Sequence, residues 1–362
     1  MINPFETNEI DCFLSCPRGL EEISAENIKP YCNNVTVDKG GVQFSGDMES
    51  LYNVNLHSRT GMHALVRLLT FNARTEDELY DSVLKYPWHD WITPVDTISI
   101  RARARSKFFE NGQYASLKVK DAIVDRIRNK TGDRPDVDKM NPRYSFFLFI
   151  FEDKVSIYLN SSGIALSKRG YREKIHKASL NEALAAGIIL LSEWDGKEPF
   201  YDPMCGSGTF LIEAAMIGKN IPPGYYRKNF AFQKWHHFDN RLWNKIVSDV
   251  REKISHERLH ITGHDNIPAN INLSKQNALR ILIHNHVHFK KGELSDFMPK
   301  DPGTIIMNPP YGERIGDSSE LESLYELMGD VLKSNCVGSN AYILSGNSEL
   351  AKHIGLKSES KV

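Results

Sequence analysis

Cysteine is scarce in this chain of 362 residues, and long apolar runs are missing. The five cysteines (Cys12, Cys16, Cys32, Cys205 and Cys336) are unevenly spaced, and no second pair accompanies Cys12 and Cys16. That argues against a disulfide framework and against a cysteine-built zinc site, and makes a reduced, cytoplasmic protein the expectation. No apolar stretch approaches the roughly 20 residues that span a bilayer, so no membrane partner is expected. The N-terminus lacks a basic segment followed by an apolar core, so no secretory leader is expected either. Histidines recur at His236-His237 and at His284, His286 and His288, but no cysteine or carboxylate joins them at zinc spacing. No metal is expected. Gly-x-Gly-x-x-Gly and Gly-Lys-Ser/Thr are both absent, which argues against dinucleotide binding and against a P-loop.

The net charge of -1 conceals an asymmetry. Residues 1–97 carry 7 Lys and Arg against 15 Asp and Glu, residues 98–180 carry 18 against 9, and residues 181–362 carry 20 against 22. The middle segment is a basic island. Neutralising phosphates requires such a surface; a solvated face that binds nothing would look the same at this level.

The first 160 residues alternate strands and helices. Cys12 to Ser15 reads as a strand, Leu20 to Ile28 as an amphipathic helix, and Val35 to Phe44 as a hairpin turning at Gly40-Gly41. A helix over Glu49 to Leu56 and a strand over Ala64 to Thr70 complete an α+β segment small enough to stand alone. A second such segment follows, with a helix over Glu76 to Tyr86, another over Ser116 to Lys130 (Leu117, Ile123 and Ile127 facing inward), and a hairpin over Ser145 to Asn160. Between these helices, Ile98 to Arg105 alternates strictly. As a strand it sets Arg101, Arg103 and Arg105 on one face and Ile98, Ile100, Ala102 and Ala104 on the other. Ser167 to Lys177 is polar and basic and reads as a linker. Ser179 and Glu182 form a capping box for a helix over Leu180 to Trp194. Beyond it, strands at 200–202, 260–264, 287–289, 304–307 and 341–344 alternate with helices, the pattern of a doubly wound, mostly parallel sheet. Residues 219–258 read as an insertion after that sheet's first helix.

Three motifs carry chemistry. Asp202-Pro203-Met204-Cys205-Gly206-Ser207-Gly208-Thr209 leaves a strand and opens a helix. Its glycines permit a tight turn and close approach of a ligand, and the helix N-terminus suits a carboxylate or phosphate. Gly263-His264-Asp265-Asn266 ends the next strand. Asp265 there suits the two hydroxyls of a ribose, or alternatively caps the helix beginning at Pro268. Asn308-Pro309-Pro310-Tyr311 follows the apolar strand Thr304 to Met307 at the carboxyl edge of the sheet, where open α/β folds bind ligands. An aryl or amide nitrogen is a poor nucleophile because its lone pair is delocalised. The Asn308 side-chain oxygen and the Pro309 carbonyl suit its two N–H bonds and favour a pyramidal nitrogen, while Tyr311 suits stacking on a flat base. The expected reaction is S-adenosylmethionine-dependent methylation of a planar amino group.

These motifs resemble those of the THUMP-domain guanine-N2 RNA methyltransferases, over nearly the whole chain. Ser15-Cys16-Pro17-Arg18-Gly19-Leu20-Glu21-Glu22 is similar to that family's opening, Ser58-Arg59-Thr60 and Trp88 to its THUMP domain, and Lys168-Arg169-Gly170-Tyr171-Arg172 to its linker. Asp202 to Thr209 and Asn308 to Arg314 match its catalytic signatures. The resemblance implies a ferredoxin-like segment over 1–57, a THUMP domain over 58–164, a basic linker over 165–178 and a Rossmann-like methyltransferase domain over 179–362. It implies cofactor contacts from Asp202, Cys205, Gly206, Ser207, Gly208, Thr209, Asp265 and Asn266, and catalytic work by Asn308, Pro309, Pro310 and Tyr311. Structured RNA is the implied partner, ribosomal in preference to transfer RNA. Arg101, Arg103, Arg105, Lys107, Lys168, Arg169 and Arg172 are the candidate RNA contacts.

Two departures stand out. Where the family has Gly-Asp after the third strand, this chain has Gly292-Glu293, so Glu293 is the expected substitute at the adenine. The chain also stops at Val362, before the family's last strand pair, so its C-terminal strands are expected to be incomplete. Asn-Pro-Pro-Tyr alone is shared with DNA adenine methyltransferases and with enzymes that methylate a protein glutamine. The basic segment favours RNA among these.

Overall fold

The computed structural model describes residues 3–172, 180–310 and 318–360. They form two compact units, 1–166 with 227–248, and 167–226 with 249–362.

The first unit contains β1 (Ile10–Ser15), α1 (Glu21–Ile28), β2 (Asn33–Asp38), β3 (Gly41–Gly46), α2 (Met48–His57) and β4 (His63–Asn72). It continues with α3 (Glu76–Leu84), β5 (Thr97–Arg105), α4 (Gly112–Thr131), β6 (Asp136–Val137), β7 (Tyr144–Phe151) and β8 (Lys154–Asn160). Short polar side chains start α2, α3 and α4. Asp47 accepts from the Ser50 amide at 2.8 Å, Thr75 from Glu78 at 3.2 Å, and Asn111 from Gln113 at 2.9 Å. Gly132, left-handed at φ 85°, ends α4.

All eight strands join one sheet in the order β2-β3-β1-β4-β8-β7-β5-β6. The two N-terminal segments therefore share one sheet. β4 pairs antiparallel with β1 on one edge and with β8 on the other, so both segments share its hydrogen bonds. Ser58 to Thr60 belong with the first segment. The Arg59 amide donates to Asn27 Oδ1 at 2.7 Å, and the Thr60 and Ser24 hydroxyls meet at 2.7 Å.

The alternation of β5 holds. A Cβ placed on Gly112 would lie 3.3 Å from the Ala104 Cβ, so α4 covers the alanine face, and Arg101, Arg103 and Arg105 are exposed. α4 buries Val119, Ile123 and Ile127, but Leu117 is 48% exposed. It lies two residues from Ala115 and from Val119, and residues two apart do not share a helix face.

Residues 227–248, part of the segment read as an insertion, group with the first unit. Phe232 stacks on Tyr52 of α2 at 4.4 Å, Trp235 meets Phe5 edge-on at 5.5 Å, and Arg227 donates to the Ala165 carbonyl at 2.7 Å. Phe230, Phe232 and Trp235 are thus buried within the first unit.

The second unit holds α5 (Glu182–Leu191), β9 (Phe200–Asp202) and α6 (Thr209–Gly218). α7 (Asn240–Glu252) begins among the first unit's residues and ends among the second's. Then come β10 (Ile261–Asp265), α8 (Pro268–Arg280), β11 (Val287–Lys291), β12 (Thr304–Met307), α9 (Ser318–Asn335), β13 (Asn340–Ile343) and α10 (Ser348–Lys352). The strands run parallel in the order β11-β10-β9-β12-β13. One face packs Phe210, Leu211, Ile271 and Ile306; the other packs Ile305, Met307, Tyr325 and Met328. Covered on both faces, β9 and β12 are buried throughout. The cap of α5 is Asn181, whose Oδ1 accepts from the Ala183 amide at 2.9 Å. Ser179 of the expected capping box lies outside the described residues. Among the described residues no helix is long and apolar enough to cross a membrane, and all five cysteines are free thiols.

Candidate active site

The chain leaves β9 for β10 on one side and later places β12 on the other side of β9. The strand order therefore reverses between β9 and β12, and a crevice opens at the carboxyl ends of such a pair. Asp202 ends β9 and Asn308 follows β12, so the cofactor-loop and amino-group motifs come together at this reversal.

The loop after β9 turns through Gly206 at φ 52° and Gly208 at φ 79°, conformations that an L side chain enters at a cost. At Gly208 a Cβ would also meet the Ser274 Cβ at 3.0 Å. Gly208 is the N-cap of α6 and supplies no side chain to the first-turn amides, which leaves them available to an anionic group. Behind the loop, Ser274 Oγ donates to the Gly206 carbonyl at 2.7 Å and Asn277 Nδ2 to the Ser207 carbonyl at 3.1 Å. The Ser207 and Thr209 hydroxyls lie 3.4 Å apart. Cys205 is buried, and burial pushes its thiol up. It packs toward β10, where a Cβ on Gly263 would meet Cys205 Sγ at 3.2 Å.

Asp202 is 2% exposed, and burial, aided by the charge of Asp265, pushes its carboxyl up to about 8. Asp265 Oδ2 accepts from the Gly206 amide at 2.8 Å, and its Oδ1 accepts from the Ile267 amide at 2.9 Å and from Asn270 Nδ2 at 3.0 Å. It thus organises the entry of α8 and pins the glycine loop at once. A carboxylate oxygen accepts two bonds, so Oδ2 retains capacity for a hydroxyl. Asn266 Nδ2 donates to Glu293 Oε2 at 3.2 Å, which joins the ends of β10 and β11.

Asn308 Oδ1 is buried and has no hydrogen-bond partner among the described residues. An unsatisfied buried acceptor costs about 1–3 kcal/mol and calls for a ligand or a strain account. The Pro310 carbonyl, by contrast, accepts from Tyr325 at 3.4 Å, and Pro309 is buried. Tyr311 and Gly312 to Arg314 lie outside the described residues.

The linker corrects two of the expected RNA contacts. Arg169 is 1% exposed, and its Nε lies 3.4 Å from Glu213 Oε1, which also accepts from the Tyr171 hydroxyl at 3.1 Å. The Arg172 side chain is 7% exposed. It donates to Glu182 Oε1 at 3.1 Å, to the Leu180 carbonyl at 2.9 Å and to the Thr209 hydroxyl. Both guanidiniums serve carboxylates inside the second unit, where phosphate has no access. Lys168 is half-buried, and Lys174 and Lys177 lie outside the described residues. Arg280 bonds the Tyr171 carbonyl at 3.3 Å and Asn277 Oδ1 at 3.0 Å, so the linker braces the glycine loop by a second route. Glu213 and Arg280 escaped sequence reasoning, although a glutamate within Phe210-Leu211-Ile212-Glu213-Ala214-Ala215-Met216 was a usable signal. Arg101, Arg103, Arg105 and Lys107 are exposed, the last with its ammonium 5.2 Å from the Phe108 ring. Among the described residues no group of three or more His, Cys, Asp or Glu is placed to hold a metal, and His236 Nε2 faces Asp96 at 2.9 Å.

A left-handed glycine turn, an uncapped helix start, a buried acid and a carboxylate at the next strand end form a donor set that fits a nucleoside amino acid. Comparison with known proteins agrees. The family model "RMKL-like, methyltransferase domain" matches residues 169–362, the THUMP domain model matches 73–160, and the RlmL ferredoxin-like domain model matches 11–63. A putative RNA methyltransferase of Synechocystis is 34% identical over 96% of this chain and 92% of its own length. A ribosomal RNA large subunit methyltransferase K/L of Syntrophotalea carbinolica is 33% identical over 96% of this chain and 51% of its own length, so the chain spans about half of that relative. A crystal structure of a putative methyltransferase complexed with SAH is 28% identical and superposes with a TM-score of 0.89, over 98% of this chain and 94% of its own. The chain belongs to the RMKL-like methyltransferase family, with ferredoxin-like and THUMP domains ahead of its S-adenosylmethionine-dependent catalytic domain.

Proposed function

We propose that this enzyme methylates the exocyclic N2 of a guanine in RNA, with 23S ribosomal RNA as the substrate. The observation that carries the amino-group reading is Asn308 Oδ1, which is buried and has no hydrogen-bond partner among the described residues. It is an acceptor fixed in place before any donor arrives, and an exocyclic amino group supplies that donor. S-adenosylmethionine, when bound, supplies the electrophilic methyl group. Asn308 Oδ1 takes one amino N–H and the Pro309 carbonyl the other, which localises the nitrogen lone pair. Pro310 stiffens the turn, and Tyr311 stacks on the base. A preorganised acceptor of this kind is worth about 10²–10³ in rate.

On the cofactor side, the backbone from Cys205 to Thr209 receives the carboxylate and Asp202 the ammonium. Asp265 receives the ribose, and Asn266 with Glu293 the adenine. RNA is held by Arg101, Arg103, Arg105 and Lys107. Support for RNA comes from the THUMP match, from the relatives' names and from the basic island over residues 98–180. A cytoplasmic location accords with an RNA substrate and with five free thiols.

The test is transfer of labelled methyl from adenosylmethionine to total RNA, followed by nucleoside analysis of separated ribosomal and transfer fractions. Label in N2-methylguanosine of 23S RNA is expected. Label in transfer RNA would move the substrate, and label in N6-methyladenosine or in protein would overturn the guanine reading.

A further inference from the structure

The face of the first unit's sheet that carries the arginines also carries exposed phenylalanines. β5 and β7 pair in parallel register with Arg101 opposite Phe147, Arg103 opposite Phe149 and Arg105 opposite Phe151. Phe149 is 37% exposed and Phe151 50% exposed, and Phe147 is half-buried. The intervening Phe146, Leu148 and Ile150 point to the other face and are buried. Among the described residues no carboxylate pairs with Arg101, Arg103 or Arg105.

Neighbouring strands lie about 4.8 Å apart, and residues i and i+2 on one strand about 6.6 Å apart. The result is a two-column surface, with guanidiniums in one column and flat rings in the other. A face meant only to be solvated has no use for two exposed rings. A face meant for an apolar protein partner has no use for three arginines in register beside them that no described carboxylate neutralises.

We infer that the β5–β7 face is a stacking platform for an unpaired RNA strand, with bases on Phe149 and Phe151 and phosphates on Arg101, Arg103 and Arg105. The inference rests on the proposed RNA substrate and narrows its class. Paired bases in an A-form helix present no ring faces, and that helix is read by shape and phosphates, whereas unpaired bases splay onto aromatic side chains. The arginines add sequence-independent attraction and cation–π contact. The platform therefore recognises a single-stranded loop or flank of the substrate RNA, and tolerates any base there.

The experiment uses the full chain and two fluorescein-labelled RNAs, an unstructured 12-mer and a perfectly paired hairpin. The unstructured strand is expected to bind tighter. Phe149→Ala and Phe151→Ala should each weaken its binding about tenfold while leaving the salt dependence unchanged. Arg103→Ala should reduce the slope of log affinity against log salt by about 0.7. Phe149→Leu with Phe151→Leu, which keeps apolar bulk, should lose as much as the alanines. Retention of affinity in the leucine variant would mean hydrophobic docking and would overturn the proposal. Equal or tighter binding of the hairpin would overturn it too. As a measurement on the unaltered protein, 2-aminopurine placed in the 12-mer should change its fluorescence on binding, and no change refutes stacking. If the wild type methylates RNA while the phenylalanine variants bind normally, this inference fails and the RNA reading stands. If the wild type methylates and binds no RNA, both fail.

Discussion

Removal of the Glu213 carboxylate tests how the linker is built into the catalytic unit. Glu213 is fully buried on α6 and Arg169 is 1% exposed, with 3.4 Å between Oε1 and Nε. Desolvating both charges is expensive, so the intact pair is close to neutral for stability. Its disruption is not, because a buried guanidinium loses its counter-charge, at about 3–5 kcal/mol. The Tyr171 hydroxyl loses an acceptor as well, which adds about 1 kcal/mol. For a domain of this size about 1 kcal/mol shifts Tm by roughly 2–4 °C. Glu213→Ala should therefore lower the melting transition of the catalytic unit by on the order of 10 °C. Differential scanning calorimetry reads the shift directly. The double variant Glu213→Leu with Arg169→Met removes both charges and keeps apolar volume, and should recover much of the loss. A single variant melting within about 2 °C of wild type, or a double variant no better than the single, would refute the assignment of Arg169 to the core. The same substitutions should leave the salt dependence of RNA binding unaltered, because Arg169 is not on the phosphate-facing surface.

Asn308→Ala should reduce methyl transfer by about 10²–10³ while adenosylmethionine binding, measured by calorimetry, survives; near-normal turnover would refute the role given to its Oδ1. Gly208→Ala should weaken cofactor binding at least tenfold, because the new Cβ is strained at φ 79° and meets Ser274 at 3.0 Å; an unchanged dissociation constant would show that the loop adapts. The carboxyl of Asp202 is pushed up to about 8 by burial, so the folded protein holds a proton that the unfolded chain releases near 4. Stability from this group is full below about pH 4, declines as pH rises towards 8, and is flat above that. Asp202→Asn should flatten that part of the stability profile, and a slope that persists in the variant would assign it to another group.

Much of this fold is legible in the sequence because its elements carry local signals. The alternation of Arg101 to Arg105, the glycines of the loop after Asp202, and the apolar run Thr304 to Met307 before Asn308 each describe a short stretch of backbone. Each is found where expected. Interactions between distant residues are less legible. Lys168 to Arg172 has the composition of a solvent-facing linker, and its burial against Glu213, more than 40 residues from Arg169, and against Glu182 and Thr209, about 10 and more than 35 residues from Arg172, is not written in that stretch.

The sequence by itself therefore determined the fold class, the motif order along one parallel sheet, and the residue types on which the amino-group proposal rests. Local backbone preference and residue type suffice for these. Tertiary structure alone decided four other things: that β4 joins the two N-terminal segments in one sheet, that residues 227–248 pack with the first unit, that Phe149 and Phe151 stand in register beside three arginines, and that Asn308 Oδ1 is buried with no partner among the described residues. Strand pairing, burial and hydrogen-bond satisfaction are properties of residue pairs brought together by folding, and no single stretch of sequence contains them.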